Sequence, residues 1–160
     1  LQEVERRTHR AARFALAFAV HRMDDDAPLV HEATLLHDFA EMLLWCHAPS
    51  LAAEIGRRQA ADPSLRSVDA QRTVLNVELR ALEQSLMKAW RLPELLMQIT
   101  DDRDGLRQGQ STMVRLAVQL ARHTRDGWEN PALPDDLDEI ARMLNLSKDA
   151  AWRLVQDIDA

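Results

Sequence analysis

The sequence predicts an all-α fold, a compact multi-helix bundle of about seven or eight helices. Ala, Leu, Arg, Glu and Gln dominate the composition, and these residues favour helices over strands. Only four glycines and six prolines interrupt the 160 residues, and no segment alternates apolar and polar residues as a strand does. Hydrophobic residues make up 46% of the chain and charged residues 29%. We therefore expect one globular domain over residues 1–160.

The first half of the chain is predicted to contain three helices. Apolar residues recur on one helical face over residues 4–20, which predicts the first helix. Asp24-Asp25-Asp26 and Pro28 interrupt this pattern, and a second helix is predicted over residues 29–45. Because that segment is apolar around most of its circumference, we expect it at the centre of the bundle. A shorter third helix is predicted over residues 51–61.

The second half is predicted to contain five helices. A long periodic segment covers residues 68–90, and its final Trp90 is expected in the core. The next helices are predicted over residues 93–99, 112–123 and 134–144, and the last begins after Ser147, a favourable N-cap residue.

Composition also restricts the possible partners. A formal net charge of −6 opposes binding to a nucleic-acid backbone, so no nucleic-acid partner is expected. No apolar stretch approaches the roughly 18 residues that a membrane helix needs. The single Cys46 cannot form an internal disulfide, which favours a cytoplasmic protein. We expect its thiol to pack in the core. The chain starts at Leu1 and soon becomes helical, so we expect it to be a piece of a longer protein.

Four segments carry a resemblance to a known family. Leu35-Leu36-His37-Asp38-Phe39-Ala40 resembles the His-Asp doublet that names the HD superfamily of metal phosphohydrolases. Trp90-Arg91-Leu92-Pro93 resembles the Trp-x-Leu-Pro corner of the HDOD family of HD-related output domains. Residues 113–121 resemble a later HD helix, and Leu144-Asn145-Leu146-Ser147 resembles the closing Leu-Gly-Leu-Ser element. The resemblance extends from Thr8 to about Val155, and the additional N-terminal helical half of the HDOD family has no match.

The resemblance also implies which metal-binding positions survive. His9, on the preceding predicted helix, lies about where the superfamily places its first histidine ligand, and His37 and Asp38 form the doublet. These three residues are vestigial HD positions. They could still bind a lone cation, but we expect His37 and Asp38 to hydrogen-bond each other and to be structural.

Several other positions depart from the pattern of an active HD enzyme. The last HD aspartate falls near Val118, one histidine falls near Leu79, and the later His-His pair falls near Asp101-Asp102. The glycine after the doublet is Ala40, and the lysine common in active relatives is Glu41. Aliphatic side chains cannot ligate a metal that activates water. The resemblance therefore implies no catalytic residues, no metal and no cofactor.

The function predicted from these observations is that of a non-enzymatic regulatory domain of HDOD type in bacterial signal transduction. It would act through contacts with a protein partner or with a neighbouring domain of the same chain. Trp128, in a Gly-Trp loop, is the candidate contact residue, because tryptophan is enriched at interfaces. Two alternatives remain. One is a metal-dependent phosphohydrolase acting on nucleotides or cyclic dinucleotides, and the other is a pseudoenzyme that binds a small regulatory ligand.

Overall fold

The computed structural model describes residues 1–62, 64–101 and 107–160, and the regular structure within these ranges is entirely helical. This confirms the predicted all-α fold. The ten helices of the described residues are α1 (Gln2–His21), α2 (Ala27–Leu36), α3 (Phe39–His47), α4 (Pro49–Ala61), α5 (Ser67–Leu75), α6 (Leu79–Ala89), α7 (Glu94–Thr100), α8 (Gln108–His123), α9 (Leu133–Leu144) and α10 (Lys148–Asp159). None of these helices is both long and apolar enough to cross a bilayer.

Two of the predicted helices are each divided, which corrects the predicted number of helices. The segment 29–45 breaks at His37 and Asp38, between α2 and α3. The segment 68–90 breaks between α5 and α6 at Asn76, whose backbone is left-handed with φ 57° and ψ 17°. Neither break contains glycine or proline, so periodicity alone gives no sign of it. Asparagine tolerates the left-handed conformation, and Asp38 is held by tertiary contacts described below.

The main apolar core lies around α1 and α8, which make the most extensive helix pairing of the described chain. Phe14 and Phe18 of α1 are fully buried and stack with ring centroids 6.4 Å apart. Core residues also come from α2, α7, α9 and α10. The expectation that the second predicted helix occupies the centre is therefore wrong, because α1 and α8 are the more extensively buried helices.

Helices α3–α6 form a second group, which we call the small lobe. None of its residues belongs to the main apolar cluster formed by α1, α2 and α7–α10. The lobe packs mostly on itself, through the pairs α3–α4, α4–α5 and α3–α6, and meets the main group where α3 touches α1 and α6 touches α7. Few apolar contacts therefore join the small lobe to the main group of helices. Polar contacts between the two groups contribute correspondingly more to holding the lobe in place.

Two side chains of the small lobe lie outside the core, contrary to expectation. Trp90 is 54% exposed at the end of α6, where its ring centroid lies 5.6 Å from that of Phe39. Cys46 is exposed near the end of α3. Both expectations were wrong because they assumed uninterrupted helices, and the breaks before α3 and α6 rotate the faces that follow them.

The predicted corner and the final helix start are confirmed. After α6, the Leu92 N–H donates to the Met87 carbonyl and the Arg91 N–H donates to the Lys88 carbonyl, and Arg91 has a φ of 56°. These bonds define a Schellman turn, which stops the helix before α7. Ser147 caps α10, since its Oγ accepts a 3.2 Å hydrogen bond from the Ala150 N–H.

Candidate functional site

The His-Asp doublet lies at the junction between the two groups of helices. His37 closes α2, and Asp38, with φ −111° and ψ 16°, precedes the first turn of α3. An aspartate at this position commonly caps the helix with its side chain. Asp38 forms no such cap, and its buried carboxylate is engaged by side chains from the junction itself, α1 and α8.

The Asp38 carboxylate accepts four hydrogen bonds from three side chains. From α1, Arg7 donates to Oδ2 through Nε at 3.1 Å and through Nη2 at 2.7 Å. From α8, Arg122 donates to Oδ1 through Nη2 at 2.9 Å, and the His37 Nδ1 lies 2.9 Å from the same oxygen. Arg7 also donates to Glu41 Oε2 at 2.8 Å. These five residues, His37, Asp38, Arg7, Arg122 and Glu41, form what we call the Asp38 cluster.

The charges of the cluster keep Asp38 ionised. Burial by itself would raise the pKa of this carboxyl group, because it penalises the charged form. The hydrogen bond from His37 and the positive charges of Arg122 and Arg7 outweigh burial and hold the pKa of Asp38 far below its usual range. Asp38 and Glu41 in turn raise the pKa of Arg7 despite the burial of that guanidinium. Asp38 and Arg7 therefore stay charged at physiological pH.

His37 is a neutral member of this cluster at neutral pH. Burial lowers its pKa most strongly, and Arg80 and Arg122 lower it further, whereas the hydrogen bond and charge of Asp38 act in the opposite direction. The neutral ring with its proton on Nδ1 donates that proton to Asp38, which leaves Nε2 as an acceptor. The expected hydrogen bond between His37 and Asp38 is present.

His9 is not brought to the doublet. Its side chain is exposed on α1, and Arg7 is the α1 residue that contacts Asp38. Two residues along a helix correspond to a rotation of about 200°, so His9 and Arg7 point to opposite sides. Of the three vestigial HD positions, the structure therefore brings His37 and Asp38 together and leaves His9 on an exposed face of α1.

The aliphatic positions implied by the resemblance lie near the cluster. Val118 is buried on α8, and Arg122 follows it by one helical turn on the same face. Leu79 begins α6 and lines a cavity beside His37 and Asp38, as do Ala40 and Glu41. Asp101 follows the last residue of α7, and Asp102 lies outside the described residues.

Sequence reasoning missed Arg7 and Arg122, the two cations of the site. The available signal was the helical face: Arg122 stands four residues after Val118, and Arg7 shares a face with Val4 and Ala11, which are buried.

The donor set of the described residues does not fit a metal. Within residues 1–62, 64–101 and 107–160, no three His, Cys, Asp or Glu side chains are grouped so as to hold an ion. Both oxygens of Asp38 already accept hydrogen bonds from guanidinium groups, and His37 uses Nδ1 towards Asp38. A cation at Asp38 would have to displace Arg7 or Arg122.

A cavity of about 370 Å³ opens beside the Asp38 cluster. Its walls come from both groups of helices, since Arg7 and Arg122 belong to the main group and the remaining wall residues, apart from the doublet, belong to the small lobe. The wall consists of Arg7, His37, Asp38, Ala40, Glu41, Gln59, Ser67, Val68, Gln71, Leu79, Arg80, Glu83 and Arg122. Most of the wall residues are therefore polar or charged, and both signs of charge are present.

Trp128 lies away from this cavity and is half-buried. Its ring meets that of Trp152 edge-on, with centroids 5.3 Å apart and an interplanar angle of 77°. The Arg10 guanidinium lies 5.7 Å from the Trp128 centroid and also pairs with Asp159. Trp128 thus packs on α10 and leaves only part of its ring for a partner.

The fold and the cluster define a class of protein: an all-α domain with an HD-type doublet that is held by arginines. A family model described as HDOD domain matches residues 1–104, more than half of the chain. The chain belongs to the HDOD family. The matched region includes α1–α7 and ends before α8, which supplies Arg122.

One solved structure extends the likeness over the whole chain. It is the crystal structure, at 1.62 Å resolution, of a protein from Shewanella amazonensis SB2B provisionally named a phosphohydrolase. The TM-score is 0.68 at 14% sequence identity, and the match covers 99% of this chain and 59% of that one. At this identity the likeness establishes a shared fold, and this chain spans less than two thirds of that protein's length. The comparison with curated proteins gives no significant match.

Replacing Asp38 by asparagine is expected to destabilise the fold at neutral pH. Asp38→Asn leaves Arg7 and Arg122 without their shared anion, and breaking a buried pair costs about 3 kcal/mol, less where a partner is half exposed as Arg122 is. Glu41→Gln, which touches Arg7 alone and is more exposed, should cost less than about 1 kcal/mol. Urea unfolding at pH 7 measures both free energies. Equal losses in the two variants would contradict a central role for Asp38.

The pH dependence of stability should reveal the neutral His37. The pKa of His37 is lower in the folded protein than its value of about 6.5 in the unfolded chain. At a pH between these two pKa values, the imidazole is protonated in the unfolded chain and neutral in the folded protein. The free energy of unfolding of the wild type should therefore fall as the pH falls through about 6.5. In His37→Gln this fall should be smaller, while the other five histidines contribute equally to both proteins. Parallel profiles from urea unfolding would show that His37 does not titrate in this way.

Proposed function

We propose that this chain is a non-enzymatic regulatory domain that works in bacterial signal transduction through protein contacts. The observation that carries the proposal is the arginine pair on Asp38: Arg7 and Arg122 supply positive charge at the carboxylate of the doublet. In the metal phosphohydrolases that the doublet resembles, a cation at this position activates water. The HDOD membership of the chain supports a domain derived from that fold.

A guanidinium cannot replace a metal in hydrolysis. A bound metal lowers the pKa of its water towards neutrality and so generates a nucleophile. Arginine stays protonated in proteins and only donates hydrogen bonds, so Arg7 and Arg122 can neither hold a hydroxide nor accept a proton. Neutral His37 could accept a proton through Nε2, but no three His, Cys, Asp or Glu side chains of the described residues are grouped to hold a metal beside it. The chemistry of the cluster therefore favours a structural role.

The surface supports a role in binding proteins. Val20 is 62% exposed and Met23 is 88% exposed at the end of α1, and Trp90 is exposed at the end of α6. Exposed apolar side chains mark contact sites where they form a patch, and tryptophan is enriched at binding hot spots. We propose a protein partner or a neighbouring domain of the same chain, in the cytoplasm, with the exposed part of Trp128 as a further contact. The net charge of −6 speaks against a nucleic-acid partner.

A metal-dependent phosphohydrolase acting on nucleotides or cyclic dinucleotides is the second candidate. The name of the Shewanella relative and the cavity beside His37 favour it. It ranks lower because Leu79 lines that cavity and Val118 is buried, where the resemblance calls for ligands, and because Asp38 is already engaged by two guanidinium groups.

An assay of hydrolysis separates the two candidates. The protein is incubated with Mn²⁺ or Mg²⁺ and a chromogenic phosphodiester, nucleotides or cyclic dinucleotides, and His37→Ala serves as the matched control. We expect wild type and variant to be indistinguishable from buffer, because no water is activated. Robust turnover by the wild type that His37→Ala abolishes would establish an enzyme and refute the proposal. In cells, cross-linking of the full-length protein should join this domain to a second protein or domain.

A further inference from the structure

The cavity beside the Asp38 cluster separates two groups of helices that share few apolar contacts. Arg122 of α8 stands on the main-group side, and Gln59 of α4 and Arg80 of α6 stand on the small-lobe side. Its volume of about 370 Å³ falls within the range of small-molecule binding sites, and such sites often lie between packed units of structure. A molecule in this cavity would touch both groups at once.

Three polar groups in the cavity wall retain unused hydrogen-bonding capacity. Arg122 uses Nη2 for Asp38, while its Nε and Nη1 donate to nothing in the described ranges. The side-chain amide of Gln59 likewise has no bond within that part of the chain, and His37 Nε2 has none either. The cavity therefore presents free guanidinium and amide donors together with a free acceptor.

We propose that this cavity binds a small phosphate ester and that the bound molecule fixes the small lobe against the main group. The phosphate is held by Arg122, with the positive charge of Arg80 on the opposite wall, and Gln59 and His37 bond the remainder of the molecule. This inference rests on the proposed function in one respect: it takes the cavity as a site of binding without turnover.

Phosphate fits this wall better than other charged groups do. The guanidinium fork matches the geometry of phosphate oxygens, and charge-assisted bonds of this kind are stronger than neutral ones. Arg7, Arg80 and Arg122 balance Asp38, Glu41 and Glu83 in the wall, so the cavity does not repel an anion although the whole chain carries a charge of −6. Glu41 offers a carboxylate acceptor for a hydroxyl group, which a sugar phosphate or a nucleotide would bring.

Binding is measured by isothermal titration of the wild-type chain at constant ionic strength. The probes are inorganic phosphate, ribose 5-phosphate and AMP, with ribose and adenosine as counterparts that lack the phosphate. We expect at least one of the phosphate compounds to bind saturably with a Kd of about 1 mM or below, and its counterpart to bind at least tenfold more weakly. Failure of all three phosphates to bind, or equal binding by the counterparts, would overturn the inference.

Variants locate the bound molecule. Arg122→Gln removes the proposed phosphate partner, and Gln59→Leu removes a cavity amide without touching the Asp38 cluster, so each should raise the Kd by about tenfold. Arg153→Gln and Gln156→Leu, both on exposed positions of α10, are the matched controls and should leave the Kd unchanged. An unchanged Kd in Gln59→Leu and Arg122→Gln would place binding elsewhere and refute the assigned site.

The titration also separates the two proposals. Phosphate released from AMP during the experiment would refute the non-enzymatic function whatever the affinity. Absence of binding without any turnover would overturn only the ligand site and leave the proposed function in place.

Discussion

The structure depends on how the buried carboxylate of Asp38 is neutralised. A buried charge is expensive unless it is paired and fully hydrogen-bonded, and Asp38 meets this condition through His37, Arg7 and Arg122. These partners come from the α2–α3 junction, α1 and α8, so one side chain connects three parts of the fold that are distant in sequence. The break between α2 and α3 places Asp38 where both guanidinium groups reach it, and the small lobe is joined to the main group at this point.

The same constraint governs the chemistry of the site. A carboxylate whose two oxygens accept hydrogen bonds from guanidinium groups cannot also coordinate a metal without expelling an arginine and leaving that charge unpaired. The arginines thus supply positive charge at the carboxylate of the doublet, where an HD enzyme would hold a metal. What remains is a polar cavity between two loosely joined groups of helices, and this arrangement suits a domain whose output is a change in contacts. Function in this chain would then reside in packing and binding.

The sequence predicts most of the helices and the hydrogen bond between His37 and Asp38, because both depend on residues that are close in sequence. Apolar periodicity locates the buried faces of α1 and α8, and Ser147 marks the start of α10. His37 and Asp38 are consecutive residues, so their side chains can hydrogen-bond each other directly. The breaks before α3 and α6 escape prediction because they contain no helix-breaking residue and depend on tertiary contacts or on a single left-handed asparagine. For the same reason Trp90 and Cys46 are exposed where continuous helices would bury them. His9 matched a family spacing, but a shift of two residues on a helix reverses the face, and Arg7 occupies the site.

The most direct test of this account is diffraction from crystals of the protein grown with excess Mn²⁺, with data collected at a wavelength where manganese scatters anomalously. The account predicts no anomalous peak at Asp38, with Arg7 and Arg122 remaining within hydrogen-bonding distance of its carboxylate. A manganese ion ligated by His37 and Asp38, with either arginine turned away, would contradict it.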